Sequence, residues 1–166
     1  MDIVYAPTRG EYLKNGAGQT CVFCEISQQK EKDEQHYVFY RDELCFGVMN
    51  LYPYTPGHFM FIPHKHLDSP HLLSEEQWLH LSKMVQKGCE MLYAFGAKGI
   101  NTGLNIKDAG GAGIPQHLHW HLVPRFDKDT NFMTSIAQTR IYGCEFDAIF
   151  TTITKLSKEF LAKESR

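Results

Sequence analysis

The sequence predicts an α+β fold built on a mostly antiparallel sheet. Short apolar stretches typical of strands follow one another with only brief turns between them, as in "HYVFYRDELCFGVMNL" and then "GHFMFIP". The helix-like stretches are grouped apart from these strands instead of alternating with them. Short connections favour antiparallel pairing of neighbouring strands. At 166 residues, the chain is long enough for one domain with a sizeable core.

The elements follow in chain order. The first stretch predicts two strands around the turn "RDE", and the second predicts a third strand that Pro63 ends. The clearest helix begins at the N-cap Ser74, where Gln77 completes a capping box, and Gly96 can end it. "GINTGLNI" and "HLHWHLVP" predict the fourth and fifth strands, and "CEFDAIFTTITKLSKEFLAK" predicts a C-terminal helix. Residues 1–166 thus form a single domain, with an arm over 1–20, a core over 21–125 and an extension over 126–166.

The composition of the chain excludes several classes of protein. Apolar residues make up 43% and charged residues 22% of the chain, as in ordinary soluble globular domains. The net charge of −2 argues against a nucleic-acid partner, which would favour a basic protein. No apolar run approaches the length of a membrane span, and no basic region precedes an apolar block at the N-terminus. We therefore expect no membrane partner. Five cysteines, an odd number, favour a reducing compartment, so we expect a cytoplasmic protein.

Three histidines alternate with apolar residues in "QHLHWHLVPR". In a strand, His117, His119 and His121 would share one face, with Leu118, Trp120 and Leu122 on the other. Such a face suits binding or catalysis better than a core. A half-buried strand with polar side chains in solvent is one alternative. A three-histidine metal site is another, but successive same-face Cα atoms lie roughly 7 Å apart, so convergence is difficult. Nucleophilic catalysis by one imidazole with its neighbours in support is the third.

The stretch "CVFC" places Cys21 and Cys24 at the spacing of a zinc half-site. A redox C-x-x-C would follow a strand and open a helix, and no strand is evident before Cys21. A zinc site needs two further ligands, for which His64, His66 and one of the alternating histidines are candidates. Two unliganded thiols remain the alternative.

The stretch "NIKDAGGAGIPQ" is a Gly-rich loop that leads into the histidine strand. Gly110, Gly111 and Gly113 allow the backbone to approach a ligand and to turn N–H groups toward an anion. The loop lacks the Lys-Ser or Lys-Thr pair that a P-loop requires.

These motifs together resemble the histidine triad (HIT) superfamily of nucleotide hydrolases and transferases. "HLHWHLV" is similar to the triad signature, and "CVFCEI", "NLYPYTPGHFMFIPHKH" and "HLHWHLVPR" follow the family's order and approximate spacing from Cys21 to Arg125. "GGAGI" before the triad and "PRFDKDTNFM" after it look like the bacterial branch described as diadenosine tetraphosphate phosphorylases. The resemblance implies a homodimer in which two five-stranded sheets join into one.

The resemblance also implies roles for individual residues. His119 would be the nucleophile, and His121 would support both the phosphate and His119. Asn50 matches the position that bonds the ribose hydroxyls, and Asn105 matches an amide near the phosphates, where the N–H groups of Gly111 and Gly113 would also lie. In members that bind zinc, the ligands correspond to Cys21, Cys24, His66 and His117. Such a zinc would be structural, and no catalytic cofactor is implied.

The implied activity is that of a nucleotide hydrolase or transferase. It would act on the α-phosphate of a dinucleoside polyphosphate, through a covalent nucleotidyl-histidine, with inorganic phosphate or water as the second substrate. A purine nucleoside phosphoramidate hydrolase and a nucleotide-binding module with low turnover are the alternatives. The chain departs from the family pattern in one place. Many members carry Gln-Ser or Gln-Thr shortly before the triad, where this chain reads "GAGIPQH" without a hydroxyl.

Overall fold

The structure, a computed structural model, describes residues 21–130, 136 and 143–162. These ranges contain three α-helices, three short 3₁₀ helices and five strands. The helices are α1 (Val22–Gln28), α2 (Glu75–Phe95) and α3 (Phe146–Phe160). The strands are β1 (Val38–Arg41), β2 (Cys45–Met49), β3 (Phe59–Pro63), β4 (Gly99–Leu104) and β5 (Trp120–Arg125). The predicted α+β class is confirmed, and the predicted arm lies outside the described residues.

The five strands form one antiparallel sheet in the order β1-β2-β3-β5-β4. Val38 lies opposite Val48, Val48 opposite Met60, and Met60 opposite His121. Residues directly opposite each other in an antiparallel sheet point to the same face. One row of side chains therefore crosses four strands and ends at the last histidine of the triad.

Each face of the sheet is covered by a different helical layer. On one face, α2 and α3 pack against the strands in a core that includes Phe39, Met49, Phe59, Phe61, Leu81, Met91, Leu92, Leu122 and Ile153. On the other face, the short helix α1 packs over Val38, Phe46, Val48, Met60 and Ile62 through Phe23 and Ile26. Because both faces are covered, β2 and β3 are buried at every position.

Helix α2 begins and ends where the sequence predicts. The Ser74 side chain accepts a hydrogen bond from the backbone N–H of Gln77, and the Gln77 side chain accepts one from the Ser74 N–H, which completes the capping box. Gly96 ends the helix in the left-handed conformation, with φ of 113°. Gly88 lies inside the helix because a Cβ there would come within 2.8 Å of Leu122 and Phe61. Its missing side chain lets α2 approach the sheet closely.

The predicted "RDE" turn between β1 and β2 is held by Asp42. Its Oδ1 accepts hydrogen bonds from the backbone N–H groups of Leu44 and Cys45, both at 2.8 Å. Its Oδ2 accepts one from the Tyr40 hydroxyl at 2.5 Å. A short carboxylate that bonds the backbone two and three residues on is a common way to fix a tight turn.

The fifth strand begins later than predicted, at Trp120, so His117 and His119 precede it. Just before the strand, the N–H of Leu118 donates to the carbonyl of Leu67 at 2.6 Å. His117 and His119 are also buried, being only 1% and 4% exposed. The reason is helix α1, an element absent from our sequence prediction. Its Phe23 ring packs against both imidazoles, with ring centroids 5.6 and 5.2 Å apart.

Among the described residues, no helix is both long enough and apolar enough to cross a membrane.

Candidate active site and metal centre

His119 is held in one protonation pattern by the backbone. Its Nδ1 lies 2.8 Å from the carbonyl oxygen of His117. A carbonyl oxygen can only accept, so Nδ1 carries the proton and Nε2 of the neutral ring keeps its lone pair. Burial lowers the pKa of His119 below its ordinary value, which favours this neutral form. The ring lines a cavity, so an unprotonated nitrogen is available there as a nucleophile.

The tautomer of His121 is set through His58. The backbone N–H of Tyr54 donates to Nδ1 of His58 at 3.1 Å, so the proton of the neutral His58 ring is on Nε2. That nitrogen lies 3.0 Å from Nδ1 of His121, which must then accept. His121 therefore carries its proton on Nε2 and can donate it to a ligand. The sequence predicted no role for His58, although His58 lies in the stretch "NLYPYTPGHFMFIPHKH" that resembles the family.

Burial keeps this histidine pair uncharged. Desolvation, followed by the nearby imidazoles of His121 and His119, lowers the pKa of His58 to about 3. Desolvation and the neighbouring His119 lower the pKa of His121 to about 4. At neutral pH, each ring therefore has one donor and one acceptor nitrogen, as the hydrogen-bond chain requires.

A cavity of about 220 Å³ opens beside the histidines. It is lined by Val22, Phe23, Ile26, Gln35, His36, Val48, Met49, Asn50, Leu51, Tyr52, Tyr54, Met60, Asn105, Gly111, Gly113, Ile114, His119 and His121. This set contains every substrate-binding residue predicted from the sequence. Three imidazoles, three side-chain amides and the Gly-rich loop, distant in sequence, thus surround one space. Such convergence of polar groups on a largely apolar cavity is typical of ligand sites.

The two predicted amides and the loop are positioned differently. Asn50 follows β2, and its Oδ1 accepts a hydrogen bond from the N–H of Tyr52 at 2.9 Å. Asn105 follows β4, directly before the Gly-rich loop. In that loop, Gly111 has φ of 84°, a conformation that favours glycine. The cavity therefore has both amides and exposed backbone at its wall.

Because this chain has no Ser or Thr shortly before the triad, the polar groups of the cavity wall come from other residues. Ile114 occupies the cavity wall in the segment that leads to the triad. Among the described lining residues, the hydroxyl groups belong to Tyr52 and Tyr54. The apolar wall of Val48 and Met60 also went unrecognised. Its signal was the alternation in β2 and β3, which places these side chains on the face opposite Phe59 and Phe61.

The predicted metal ligands come together at the start of α1. The ligand atoms of Cys21, Cys24, His66 and His117 all lie within 4.8 Å of one another. Nε2 of His117 lies 2.9 Å from the carbonyl oxygen of Pro63 and must donate to it. Its Nδ1 lone pair therefore faces the sulfurs of Cys21 and Cys24, at 3.4 and 3.5 Å. Nδ1 of His66 lies 3.1 Å from the Cys24 sulfur.

The chemistry of these four groups fits a tetrahedral zinc ion. Burial and the adjacent Cys21 raise the pKa of Cys24 to about 11, so without a cation its thiol stays protonated. Burial lowers the pKa of His117 to about 4, so its imidazole is in the neutral form that binds metals. A bound divalent cation would stabilise the thiolates that this environment otherwise disfavours.

His64, the other candidate ligand, is engaged elsewhere. Its Nε2 donates to the carbonyl oxygen of Asp42 at 3.0 Å, and its Nδ1 accepts from the Ser27 hydroxyl at 2.7 Å. Both ring nitrogens are thus occupied, which leaves His66 as the ligand from the "IPHKH" segment.

Known proteins are similar to this chain in sequence and in fold. The model of the HIT domain matches residues 30–128. An AP-4-A phosphorylase of Mycobacterium tuberculosis is 35% identical over 148 residues, which cover 83% of this chain and 75% of the relative. A bis(5'-adenosyl)-triphosphatase of Dictyostelium discoideum is 31% identical over 101 residues, 58% of this chain and 66% of the relative.

A solved structure agrees at the level of the fold. The zinc-bound histidine triad family protein from Mycobacterium smegmatis superposes with a TM-score of 0.69 at 24% identity, covering 87% of this chain and 98% of that one. The extent of the sequence match, together with the triad on β5 and the segment before it, leads to one conclusion. This chain belongs to the HIT family of nucleotide hydrolases and transferases.

Proposed function

We propose that this protein cleaves a dinucleoside polyphosphate, with diadenosine tetraphosphate as the best candidate, at its α-phosphate. The observation that carries the proposal is the unprotonated Nε2 of His119, fixed at the cavity by the Nδ1–H bond to the His117 carbonyl. The similarity to an AP-4-A phosphorylase supports this substrate class.

The proposed reaction has two displacements. Nε2 of His119 attacks the α-phosphorus, a P–N bond forms, and the bond to the bridging oxygen breaks to release the remaining polyphosphate. The imidazolium character that develops on His119 is stabilised by the bond from Nδ1–H to the His117 carbonyl. The Nε2–H of His121 and the N–H groups of the Gly-rich loop would donate to the phosphoryl oxygens. Water or inorganic phosphate then attacks the phosphorus and releases His119.

The second substrate determines the products, and an assay with diadenosine tetraphosphate separates the outcomes. Attack by phosphate gives ADP and ATP, whereas attack by water gives AMP and ATP. We expect ADP that forms only when phosphate is present. AMP in both conditions would identify a hydrolase instead. If neither product forms, the proposed activity is wrong, and a nucleotide-binding module becomes the better description.

We also propose a structural zinc ion held by Cys21, Cys24, His66 and His117. Four protein ligands leave no open coordination position, so a bound zinc would have a structural role. Its binding would supply folding free energy. Cys21 and Cys24 lie at the start of α1, and His117 lies two residues before His119. The four side chains would therefore connect the helix that covers the triad to the segment that contains the nucleophile.

We further propose that the protein is a homodimer. Strand β4 is at the edge of the sheet, and its Asn101, Thr102 and Gly103 are exposed. Next to it, Trp78 of α2 stacks on Trp120 with ring centroids 5.1 Å apart, and Trp78 is 36% exposed. An open strand edge beside exposed aromatic surface is suited to pairing with a second copy.

A further inference from the structure

The cavity extends across the sheet from the triad toward β1. His121 lies on β5, Met60 on β3 and Val48 on β2, and all three line the cavity in one row. Gln35 and His36, which lie shortly before β1, also line it. Three strand spacings separate β5 from β1, or roughly 14 Å. This length accommodates a nucleoside monophosphate lying along the row.

Along this row, the groups that line the cavity lie in the order in which phosphate, ribose and base follow one another in a nucleotide. The triad stands at the β5 end, where the phosphate would bind. Asn50, at the end of β2, lies in the middle. Beyond it, Phe23 and Ile26 of α1 form an apolar wall across from Val48 and Met60. Apolar walls can hold a flat base, but they do not distinguish one purine from another.

Gln35 is placed to make that distinction. His36 is engaged nearby, since its Nε2 lies 3.3 Å from Oε1 of Gln29. Gln35 is exposed, and within the described part of the chain its carboxamide has no hydrogen-bond partner. Its side chain can therefore turn toward a ligand without breaking an existing bond. A carboxamide presents one donor and one acceptor side by side, which is the pattern complementary to an edge of adenine.

We infer that Gln35 reads the edge of the purine base and is a specificity-determining residue of this site. The inference rests on the proposed function, because it takes the ligand to be a nucleotide with its phosphate at the triad. In the bound state, the carboxamide oxygen accepts from the adenine 6-amino group, and the carboxamide N–H donates to the adjacent ring nitrogen. A carboxylate in its place could only accept, which suits the N1–H and 2-amino donors of guanine and disfavours the ring nitrogen of adenine.

The test is calorimetric titration of the full chain with AMP, GMP and ribose 5-phosphate, which does not depend on turnover. Gln35→Ala should weaken AMP binding by about tenfold and leave ribose 5-phosphate binding unchanged. Gln35→Glu should shift the ratio of the AMP and GMP dissociation constants toward GMP by at least about tenfold. The matched control is Gln28→Glu, since Gln28 is exposed at the end of α1 and outside the cavity wall.

The outcomes distinguish the inference from the proposed function. If both Gln35 variants keep the wild-type AMP to GMP ratio within twofold, Gln35 does not read the base, and the inference is overturned. Normal cleavage of diadenosine tetraphosphate in those variants would leave the proposed function intact. If the wild-type protein binds neither nucleotide, both are overturned. A shift in Gln28→Glu equal to that in Gln35→Glu would reduce the effect to charge alone and also overturn the inference.

Discussion

The three histidines of the triad differ in their tautomers, because each ring has a different hydrogen-bond partner. The carbonyl of His117 accepts a hydrogen bond from Nδ1–H of His119, so Nε2 of His119 keeps its lone pair. The carbonyl of Pro63 accepts a hydrogen bond from Nε2–H of His117, so the lone pair on Nδ1 of His117 faces two sulfurs. His58 fixes the third pattern, on His121. Two backbone carbonyls and the His58 ring thus fix different tautomers in three alternating residues, and these tautomers suit the proposed roles of nucleophile, metal ligand and donor.

The assignment of the nucleophile predicts the effect of His119→Ala. We expect turnover of diadenosine tetraphosphate to fall by at least about a thousandfold, because the covalent step is lost. Nucleotide binding should persist, since the cavity walls are unchanged. The measurements are initial rates and AMP titration, with His71→Ala, an exposed histidine, as the control. Rates close to wild type, or a nucleotidyl adduct trapped on another residue, would refute the assignment.

The buried neutral pair His58 and His121 predicts a dependence of stability on pH. Their pKa values are about 3 and about 4 in the folded state, whereas an unfolded histidine titrates near ~6.5. Between these values, the unfolded chain binds more protons, so folding stability is fully present above ~6.5 and falls as the pH is lowered toward 4. The melting temperature measured from pH 7 to pH 4 should decrease accordingly.

A variant isolates the contribution of His121 to this dependence. In His121→Asn, one titrating group is removed, and the melting temperature should fall less steeply over the same pH range. His71→Asn should reproduce the wild-type curve. Parallel curves for wild type and His121→Asn would show that burial of this ring does not couple to folding.

At the scale of elements, the short helix α1 links the proposed metal site and the candidate active site. Cys21 is its N-cap, it carries Cys24, and its Phe23 packs against His117 and His119 of the triad. We expect about one zinc ion per chain in protein purified without an affinity tag, and a lower melting temperature with chelator. Joint substitution of Cys21 and Cys24 by Ser should lower the melting temperature in the same way. The protein that stays folded should retain the chemistry of His119.

The matched control for the metal is Cys89→Ser, a cysteine of α2 outside the ligand cluster. Its variant should keep the zinc content of wild type. Finding no metal, together with a double Ser variant that melts like wild type, would mean that the two cysteines are ordinary thiols.

Gly88 of α2 allows a test of whether core packing or helix propensity has the larger effect on the free energy of unfolding. In an exposed helix, Gly→Ala would stabilise the protein by about 1 kcal/mol. At Gly88, however, the new Cβ would lie 2.8 Å from side-chain atoms of Leu122 and Phe61, both completely buried. Overpacking of this kind costs about 1–3 kcal/mol, so we expect Gly88→Ala to reduce the free energy of unfolding. Urea denaturation measures it, and a more stable variant would show that the contact relaxes freely.

At the scale of the whole molecule, the exposed edge of β4 and the neighbouring Trp78 predict the dimer. Leu79, which is 59% exposed on α2, lies next to Trp78 in sequence. Light scattering at micromolar concentration should give twice the chain mass, and Leu79→Asp should shift the protein toward the monomer. Thr151→Asp, on the exposed side of α3, should not. A monomer mass for the wild type would contradict the dimer.

The sequence by itself determined the features that depend on neighbours along the chain. Short apolar stretches between turns located the five strands, and the Ser74–Gln77 box and Gly96 located the ends of α2. The spacing of the histidines and of Cys21 and Cys24 identified the candidate nucleophile and the candidate metal ligands. Each of these signals lies within a few residues, because backbone geometry alone fixes which side chains share a face.

Tertiary structure decided what those residues can do. The sequence left His64 and His66 as alternative ligands, and only the bonds of His64 to Ser27 and Asp42 excluded it. It predicted that the alternating histidines form a binding or catalytic face, but not that α1 would bury His117 and His119. Cys21 and His117 meet across 96 positions of the chain. Burial, tautomers and metal geometry depend on such distant contacts, because they follow from which groups exclude water from a side chain and which atom faces each ring nitrogen.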